Sequence, residues 1–411
     1  MKILAVYRHY WPDTTPYATL LRMILERLVE DGHSVTAFAG QPSYNGSTAA
    51  KRPWHETLSG IDIRRVALLP ERKKQRLARG INVLIFLARA VVHSVLVRRY
   101  DLIVANAHPP IAIGVALRII RWLTGAKYIL HLQDIHPESL AEISASKKGS
   151  LYRLLRRIDS GSCGNADRLV TLSSDMKESL RERQTDLPPV SLINNCPQRT
   201  YADEAHPQAI HLGSADKTKL LFAGNLGRFQ RLGSLVDAVK YVNHHDKLCM
   251  TMMGTGFLAE QLKQRADPNC VQLVDRQSLA VAHAAMRQAD YGIVSLEPGV
   301  IKYAYPSKTM AYLSEGLPLL LIVEDDSELA RLVRKEGLGV VAESSEPSGI
   351  GRAIDEAIER RDEWTIERRR QIARFCEHRF GAERMLQAWS DLISDLDASA
   401  ATQAHSTKAA A

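Results

Sequence analysis

With 411 residues, 45% apolar and 24% charged, the chain has the composition of a water-soluble globular protein and the length for two cores of about 150–200 residues each. An excess of 54 Lys+Arg over 46 Asp+Glu leaves +8, which favours anionic partners without choosing among nucleotides, phosphorylated lipids, an acidic membrane face or nucleic acid. Five cysteines with no CxxC pair suggest neither a disulfide framework nor a zinc site, and they point to a reducing cytoplasm.

The opening run MKILAVYRHYW has too short an apolar segment for a signal peptide and reads as a first strand. From there short β-rich runs alternate with longer helical patterns: KILAVY, then TLLRMILERLVEDG; SVTAFA; DLIVAN, then PPIAIGVALRIIRWLTG; KYILHL; RLVTLS, then SDMKESLRERQ; VSLINN. This alternation is the signature of a doubly wound parallel sheet and predicts a first domain over residues 1–198. A polar, aperiodic stretch at 199–217 reads as a linker, and the alternation restarts at LLFAGNLG to give a second domain over 218–380. A last helix at 381–396 is placed to return to the first domain, and 397–411 reads as a disordered tail. The longest apolar span, 81–97, contains Arg89 and His93, which argues against a membrane-spanning helix.

Ligands of open parallel sheets collect at the carboxyl ends of the strands, so the loops there carry the functional question. In AGNLGRFQRLG, Gly224 and Gly227 let backbone approach a ligand, with Asn225 between them and Arg228 and Arg231 supplying charge; a phosphate cradle and a plain glycine turn both satisfy this spacing. Gly254 and Gly256 follow another strand, where a tight turn is the simpler reading. In YPSKTMAYLSEGLP, Pro306 breaks the chain, Ser307 is placed to cap a helix and Lys308 lies in its first turn, an arrangement that suits an anion or equally a capped core helix. In the first domain, LHLQDIHPESL gathers His131, Asp134, His136 and Glu138 within eight residues; a catalytic or acceptor role fits better than a metal site, because no HExxH spacing is present.

Taken in order, YRHYWPDTTPYATLLRMILERLVEDGHSVT, HPPIAIGVALRI, LQDIHPES, LINN, FAGNLGRFQRLGSLVDAV, GTG, ADYGIVSLEPG, YPSKTMAYLSEGLP and GLGVV resemble a family 4 retaining glycosyltransferase of GT-B architecture. The GNLGRFQ and PSK forms resemble its bacterial branch that builds exopolysaccharide, colanic acid or O-antigen repeat units, fucosamine transferases included. The resemblance implies two facing Rossmann-like domains, the first for the acceptor and the second for a nucleoside-diphosphate sugar, UDP favoured over GDP. It implies no tightly bound cofactor and no required metal. Departure of the diphosphate develops negative charge, for which Arg228, Lys308 and N–H groups near Ser307 are the candidates. The family's Arg and Lys for the diphosphate are replaced here by Asn225 and approximately Gln230, so Arg228 and Arg231 stand as substitutes. Its first-domain Gly-Gly loop is replaced by DTTPYA, residues 13–18. Asp134 and Glu138 match the branch's D-x-x-P-E segment, with Asp134 a candidate base. The family's Glu-x7-Glu pair falls on Tyr303 and Ala311, leaving Glu315, one helical turn further on, to reach the ribose; Glu297 lies too early.

The implied acceptor is an undecaprenyl-diphosphate-linked saccharide. Residues 71–97, a basic run followed by a helix with Asn82, Arg89 and His93 in one stripe and an apolar arc of Leu84, Ile85, Leu87, Val91, Val92 and Val95, suit a peripheral dock on an anionic membrane face; an ordinary sheet-packed helix is the alternative. A nucleotide-sugar 2-epimerase on the same fold and a non-catalytic nucleotide-binding scaffold are the competing functions. Nucleic-acid binding rests on charge alone, without aromatic and basic interleaving.

Overall fold

The computed structural model describes residues 1–13, 15–43, 51–69, 76–97, 99–142, 149–198 and 210–409. Fourteen strands form two sheets. The first holds β1 (Lys2–Val6), β2 (Ser34–Gly40), β3 (His55–Leu58), β4 (Ile61–Val66), β5 (Leu102–Asn106), β6 (Lys127–Leu132), β7 (Arg168–Thr171) and β8 (Val190–Leu192), in the order β3-β4-β2-β1-β5-β6-β7-β8. The second holds β9 (Thr218–Ala223), β10 (Leu248–Met253), β11 (Val271–Val274), β12 (Tyr291–Ser295), β13 (Leu319–Ile322) and β14 (Gly339–Val341), in the order β11-β10-β9-β12-β13-β14. All pairings are parallel except β3 with β4. These are two Rossmann-like domains.

Helices of the first domain are α1 (Pro16–Glu30), α2 (Arg76–Val92, continued by a π turn to Val97), α3 (Ala112–Thr124), α4 (Glu138–Glu142), α5 (Ser150–Gly164) and α6 (Ser174–Arg183). Those after it are α7 (Leu232–Ala238), α8 (Ala259–Arg265), α9 (Leu279–Gln288), α10 (Lys308–Ser314), α11 (Glu328–Glu336), α12 (Pro347–Glu359), α13 (Ile366–Phe380) and α14 (Ala382–Ala409). Strand alternation sorts the first domain's core into two layers. Ile3 and Ala5 point to the layer holding α1 and α14, while Leu4 and Val6 point to the one holding Phe86 of α2, Leu117 of α3 and Cys163 of α5.

The chain does return to the first domain. Fully buried Trp389 of α14 packs its ring 5.1 Å from His131, Glu383 pairs with Arg27 at 2.9 Å, and Ser390 Oγ donates to Asp31 at 2.6 Å. α14 continues to Ala409, where a disordered tail was expected from 397; the alanine-rich composition that reads as unstructured also has high helix propensity. Of the linker, 210–217 lie within the described residues.

Two further features were not legible in the sequence. The β3–β4 hairpin was not foreseen: β3 is only partly buried and carries little apolar signal, and its turn is specified by Ser59 and Gly60, both at positive φ. In α2 the polar stripe does not face water as a unit. The Asn82 amide turns inward and clasps Leu69 through both its N–H and C=O at 2.7 and 2.8 Å, and His93 Nε2 meets Tyr100 Oη at 2.8 Å. Arg89 is exposed, and Leu87 of the supposed apolar arc is in the core. The basic residues 71–75 lie outside the described residues.

Candidate active site

The two sheets present their carboxyl ends to one cleft, where a cavity of about 470 Å³ is walled by both domains. Its first-domain wall comes from the ends of β1 (Tyr7), β5 (Asn106, His108), β6 (Gln133, Asp134) and the segment after β8 (Asn195). Its second-domain wall comes from α9 (His283) and the approach to α10 (Tyr305, Ser307, Lys308). The domains meet beside it, where Ile135 N–H donates to Tyr303 C=O at 2.8 Å and Asp134 bridges to Ala304. A second junction is reciprocal: Ser174 Oγ donates to Glu328 at 2.7 Å, and the Glu328 N–H donates to Asp175 at 2.9 Å.

Lys308 is the cation of this cavity. Its Nζ is fully buried, has no hydrogen-bond partner among the described residues and lies 3.6 Å from the centroid of Phe222. Burial alone lowers its pKa from 10.5 to about 7. Above it runs the loop after β9. Gly224, at φ +146°, is the point of closest approach: a side chain there would meet the end of Lys308 at 3.4 Å. Gly254 and Gly256 pack tightly against this loop: a Cβ at Gly254 would lie 1.8 Å from Gly224 C=O and one at Gly256 2.3 Å from Leu226 C=O, and neither glycine lines the cavity. Gly224 N–H donates to Met253 C=O and Leu226 N–H to Thr255 C=O, so the two loops are laced together. Asn225 is exposed and folds over Gly227, which starts the following turn.

The substitute arginines are placed elsewhere. Arg228 is exposed and stacks 3.9 Å over Phe257, outside the cavity wall. Arg231, at φ +43°, spends its guanidinium on Glu297 at 3.1 Å, Glu346 at 2.9 Å and Ser345 C=O at 2.8 Å. Ser307 occupies the N-cap position of α10 but makes no capping hydrogen bond, and it faces the cavity instead.

Glu315 does not reach the cavity. At the C-cap of α10, its carboxylate accepts from His283 Nδ1 at 2.6 Å and Arg287 Nη1 at 2.9 Å. Partial burial raises its pKa, but the hydrogen bonds from His283 and Arg287 outweigh burial and hold it below the usual range. A carboxylate in that state is an acceptor, so His283 Nδ1 carries a proton, and His283 itself lines the cavity. Ala311, where the family resemblance placed a carboxylate, does line the cavity.

On the first-domain side, Asp134 is the one carboxylate on the cavity wall among the described residues, and burial raises its pKa from 3.8 to about 6. Beneath it, His131 is kept neutral: burial drives its pKa to about 3, Gln133 Nε2 donates to its Nε2 at 2.7 Å, and its Nδ1 therefore donates to Tyr17 Oη at 3.2 Å. Gln133 and Asn195 exchange hydrogen bonds at 2.7 and 3.2 Å, which fixes both amides in the wall. Burial also lowers His136, to about 4, with Ser139 Oγ at 2.9 Å from its Nδ1, and lowers His108. Glu138 is not in the cavity. Starting α4, it is buried and takes Arg156 at 3.0 Å and Arg183 at 3.4 Å, while Arg183 also binds Asp159 at 2.5 Å. Its geometry is that of an anchor holding the Asp134 turn.

His108, Gln133, Asn195, Tyr305 and His283 are cavity residues that the sequence did not single out. The signal for His108 was its place at the end of β5; His283 had none, its partner lying 32 positions away. Among the described residues no group of three or more His, Cys, Asp or Glu side chains converges to hold a metal.

Comparison with known proteins bears on the domain and the fold. Residues 17–196 match a glycosyl transferase 4-like domain. The chain is 28% identical over 270 residues to the "Probable glycosyltransferase WbjE" of Pseudomonas aeruginosa, covering 64% of this chain and 67% of that protein. It is 22% identical over 377 residues to a protein of Escherichia coli (strain K12) assigned to colanic acid biosynthesis as the glycosyl transferase WcaI, covering 87% and 92%. Among solved structures, sucrose-phosphate synthase from Thermosynechococcus elongatus superposes with a TM-score of 0.73 at 16% identity, over 97% of this chain and 99% of that one. Anabaena HepE in complex with UDP superposes with a TM-score of 0.66 at 15% identity, over 96% and 100%. The chain thus carries a glycosyl transferase 4-like domain over residues 17–196, shares the two-domain GT-B fold of these solved structures, and is similar to bacterial glycosyltransferases of surface-polysaccharide synthesis.

Proposed function

We propose that the protein is a retaining glycosyltransferase. It moves a hexosyl-type sugar from a nucleoside diphosphate, UDP favoured over GDP, to an undecaprenyl-diphosphate-linked saccharide during assembly of O-antigen or exopolysaccharide. The observation that carries this reading is Lys308, a buried cation without a partner at the end of a two-domain cleft. In this reading its ammonium neutralises the leaving diphosphate beneath the Gly224 loop, and no metal ion is needed. The anomeric C–O bond to the diphosphate breaks, the acceptor oxygen bonds to the same carbon, and its proton passes to Asp134. One wall carboxylate rather than two suits same-face displacement better than a double displacement through a covalent intermediate. Support for the nucleotide comes from HepE, whose solved complexes contain UDP and UDP-glucose. We place the enzyme at the cytoplasmic face of the plasma membrane, held peripherally through residues 71–97.

Incubation with UDP- or GDP-sugars and a lipid-diphosphate saccharide, followed by product analysis, tests the reading. The expected product is an extended acceptor with the donor's anomeric configuration. An isomerised nucleotide-sugar formed without acceptor would instead identify an epimerase, and absence of turnover with intact nucleotide binding would identify a scaffold.

The corrected position of Glu315 yields a separate expectation. Because Glu315 acts on the cavity only through His283, His283→Ala and Glu315→Ala should each weaken UDP binding about five- to tenfold, and the double variant should be no worse than either alone. Calorimetric titration of the four proteins measures this; additive losses would show that the two residues act independently.

A further inference from the structure

We propose that α2, α3 and α5 together form a flat docking plate for the surface of an anionic lipid bilayer. The proposal deepens the membrane partner suggested above for residues 71–97, and it rests on that reading for the identity of the acceptor. Its evidence is separate: it lies in three helices, two of which carry no lipid-binding signal in the sequence.

These helices are the crossovers β4→β5, β5→β6 and β6→β7, so they lie side by side on one face of the first sheet, α3 in contact with both neighbours. Each buries one stripe in the same core layer through Phe86, Leu117 and Cys163. The outward stripes are apolar. Leu77 is 85% exposed, Leu96 78% and Trp122 83%, with Leu84, Leu151 and Leu154 also more than half exposed. On α2 the exposed positions 77, 81, 84, 88, 92 and 96 repeat at helical spacing and so form a single face. Eleven of the nineteen large apolar side chains exposed among the described residues belong to these three helices, so the patch is a concentration and not the scatter normal for a soluble surface.

Charge selects the occupant. Asp159 is the one carboxylate carried by the described parts of the three helices, and it is bound to Arg183. Arg89, Arg118, Arg153 and Arg157 have no carboxylate partner among the described residues. Arg121 and Arg156 of the same helices do pair, with Asp167 and Glu138, so the unmatched arginines are these four; in α13, by contrast, Arg370 and Arg374 pair with Glu367 at 3.9 and 3.6 Å. Apolar side chains interspersed with unmatched arginines suit an interface of acyl chains beneath anionic headgroups; a protein interface of ordinary composition would match the arginines with its own or its partner's acids.

Orientation follows from the fold. Leu77–Leu96 is the one stretch among the described residues long and apolar enough to cross a membrane, yet Asn82 and His93 tie it along the sheet. It therefore lies flat. All three helices start at the carboxyl edge of the sheet, and α3 begins four residues after His108 of the cavity wall. A bilayer on the plate is thus brought to the rim of the cleft, where a lipid-borne acceptor enters.

The test is co-sedimentation of the full chain with phosphatidylcholine vesicles, with and without phosphatidylglycerol. Trp122→Glu/Leu154→Glu leaves α2 intact, and Arg118→Gln/Arg153→Gln/Arg157→Gln leaves the apolar surface intact. The wild type should pellet with the anionic vesicles and little with the neutral ones. Each variant should partition about tenfold more weakly while keeping its melting temperature and its UDP-induced thermal shift. Wild-type protein that stays in the supernatant overturns the plate, as does a Trp122→Glu/Leu154→Glu variant that pellets like wild type, which would leave α2 alone as the contact. A wild-type dimer split by that variant also overturns it and assigns the face to protein association. Absence of any thermal shift with UDP or GDP in the wild type, with vesicle binding retained, would defeat the transferase reading and leave the plate standing.

Discussion

Lys308→Met is expected to raise the melting temperature of the ligand-free protein while lowering nucleotide affinity about a hundredfold or more. Both effects follow from one observation: a fully buried ammonium with no counter-charge among the described residues, its pKa lowered from 10.5 to about 7 by desolvation. The folded-state pKa lies below the unfolded one, so the unfolded chain binds the extra proton throughout that interval. Stability from this group is therefore lost progressively as pH falls from about 10.5 to about 7, and the full deficit is present below that. Methionine keeps the length of the side chain and removes the charge, recovering on the order of 2 kcal/mol at neutral pH. In the proposed reading a bound diphosphate supplies the missing counter-charge and drives Lys308 back to its ammonium form. Nucleotide affinity should accordingly be flat below pH 7 and fall by up to tenfold per unit above it, with proton uptake on binding. Titration calorimetry in two buffers of different ionisation enthalpy reads the proton directly. Buffer-independent heats and a Met variant that still binds UDP would remove Lys308 from the diphosphate site.

The parts of this architecture that were legible in the sequence are those with a local cause. The βα alternation, the restart at β9 and the Pro306-Ser307-Lys308 junction are each written in a run of a few residues whose periodicity or backbone chemistry is self-contained. Side-chain destinations are not. Arg228 and Arg231 sit in the loop the glycines announce, but one stacks on Phe257 and the other is consumed by Glu297 and Glu346, which lie 66 and 115 positions away. Glu138 looks as functional as Asp134 from four residues off, and only its ion pairs with Arg156 of α5 and the buried Arg183 of α6 separate their roles. The stripe of Asn82, Arg89 and His93 was real as helical geometry, yet its inward members satisfy Leu69 and Tyr100, partners no periodicity reveals. What remained hidden in each case is which long-range contact claims a polar group, and that decides whether the group is left for a ligand.

Asp134→Asn should leave nucleotide affinity unchanged and lower turnover by about 10²- to 10⁴-fold, with loss of the acid limb of the pH profile. In the wild type that limb should fall at about pH 6, because burial raises the Asp134 carboxyl from 3.8 to that value, and turnover should decline tenfold per unit below it. The same burial fixes the sign of the stability effect. The folded-state pKa lies above the unfolded one, so the folded chain holds the extra proton between about pH 3.8 and 6, and the group costs stability as pH rises through that window. The Asn variant should therefore melt higher than wild type at pH 7 and no higher at pH 4. Such a pattern, a gain in stability bought only where the carboxylate is charged, marks a group kept ionised for chemistry and not for the fold. An Asn variant that turns over normally, or that loses nucleotide affinity in step with activity, would move the proton acceptor away from Asp134, and His283 across the cavity would be the next residue to test.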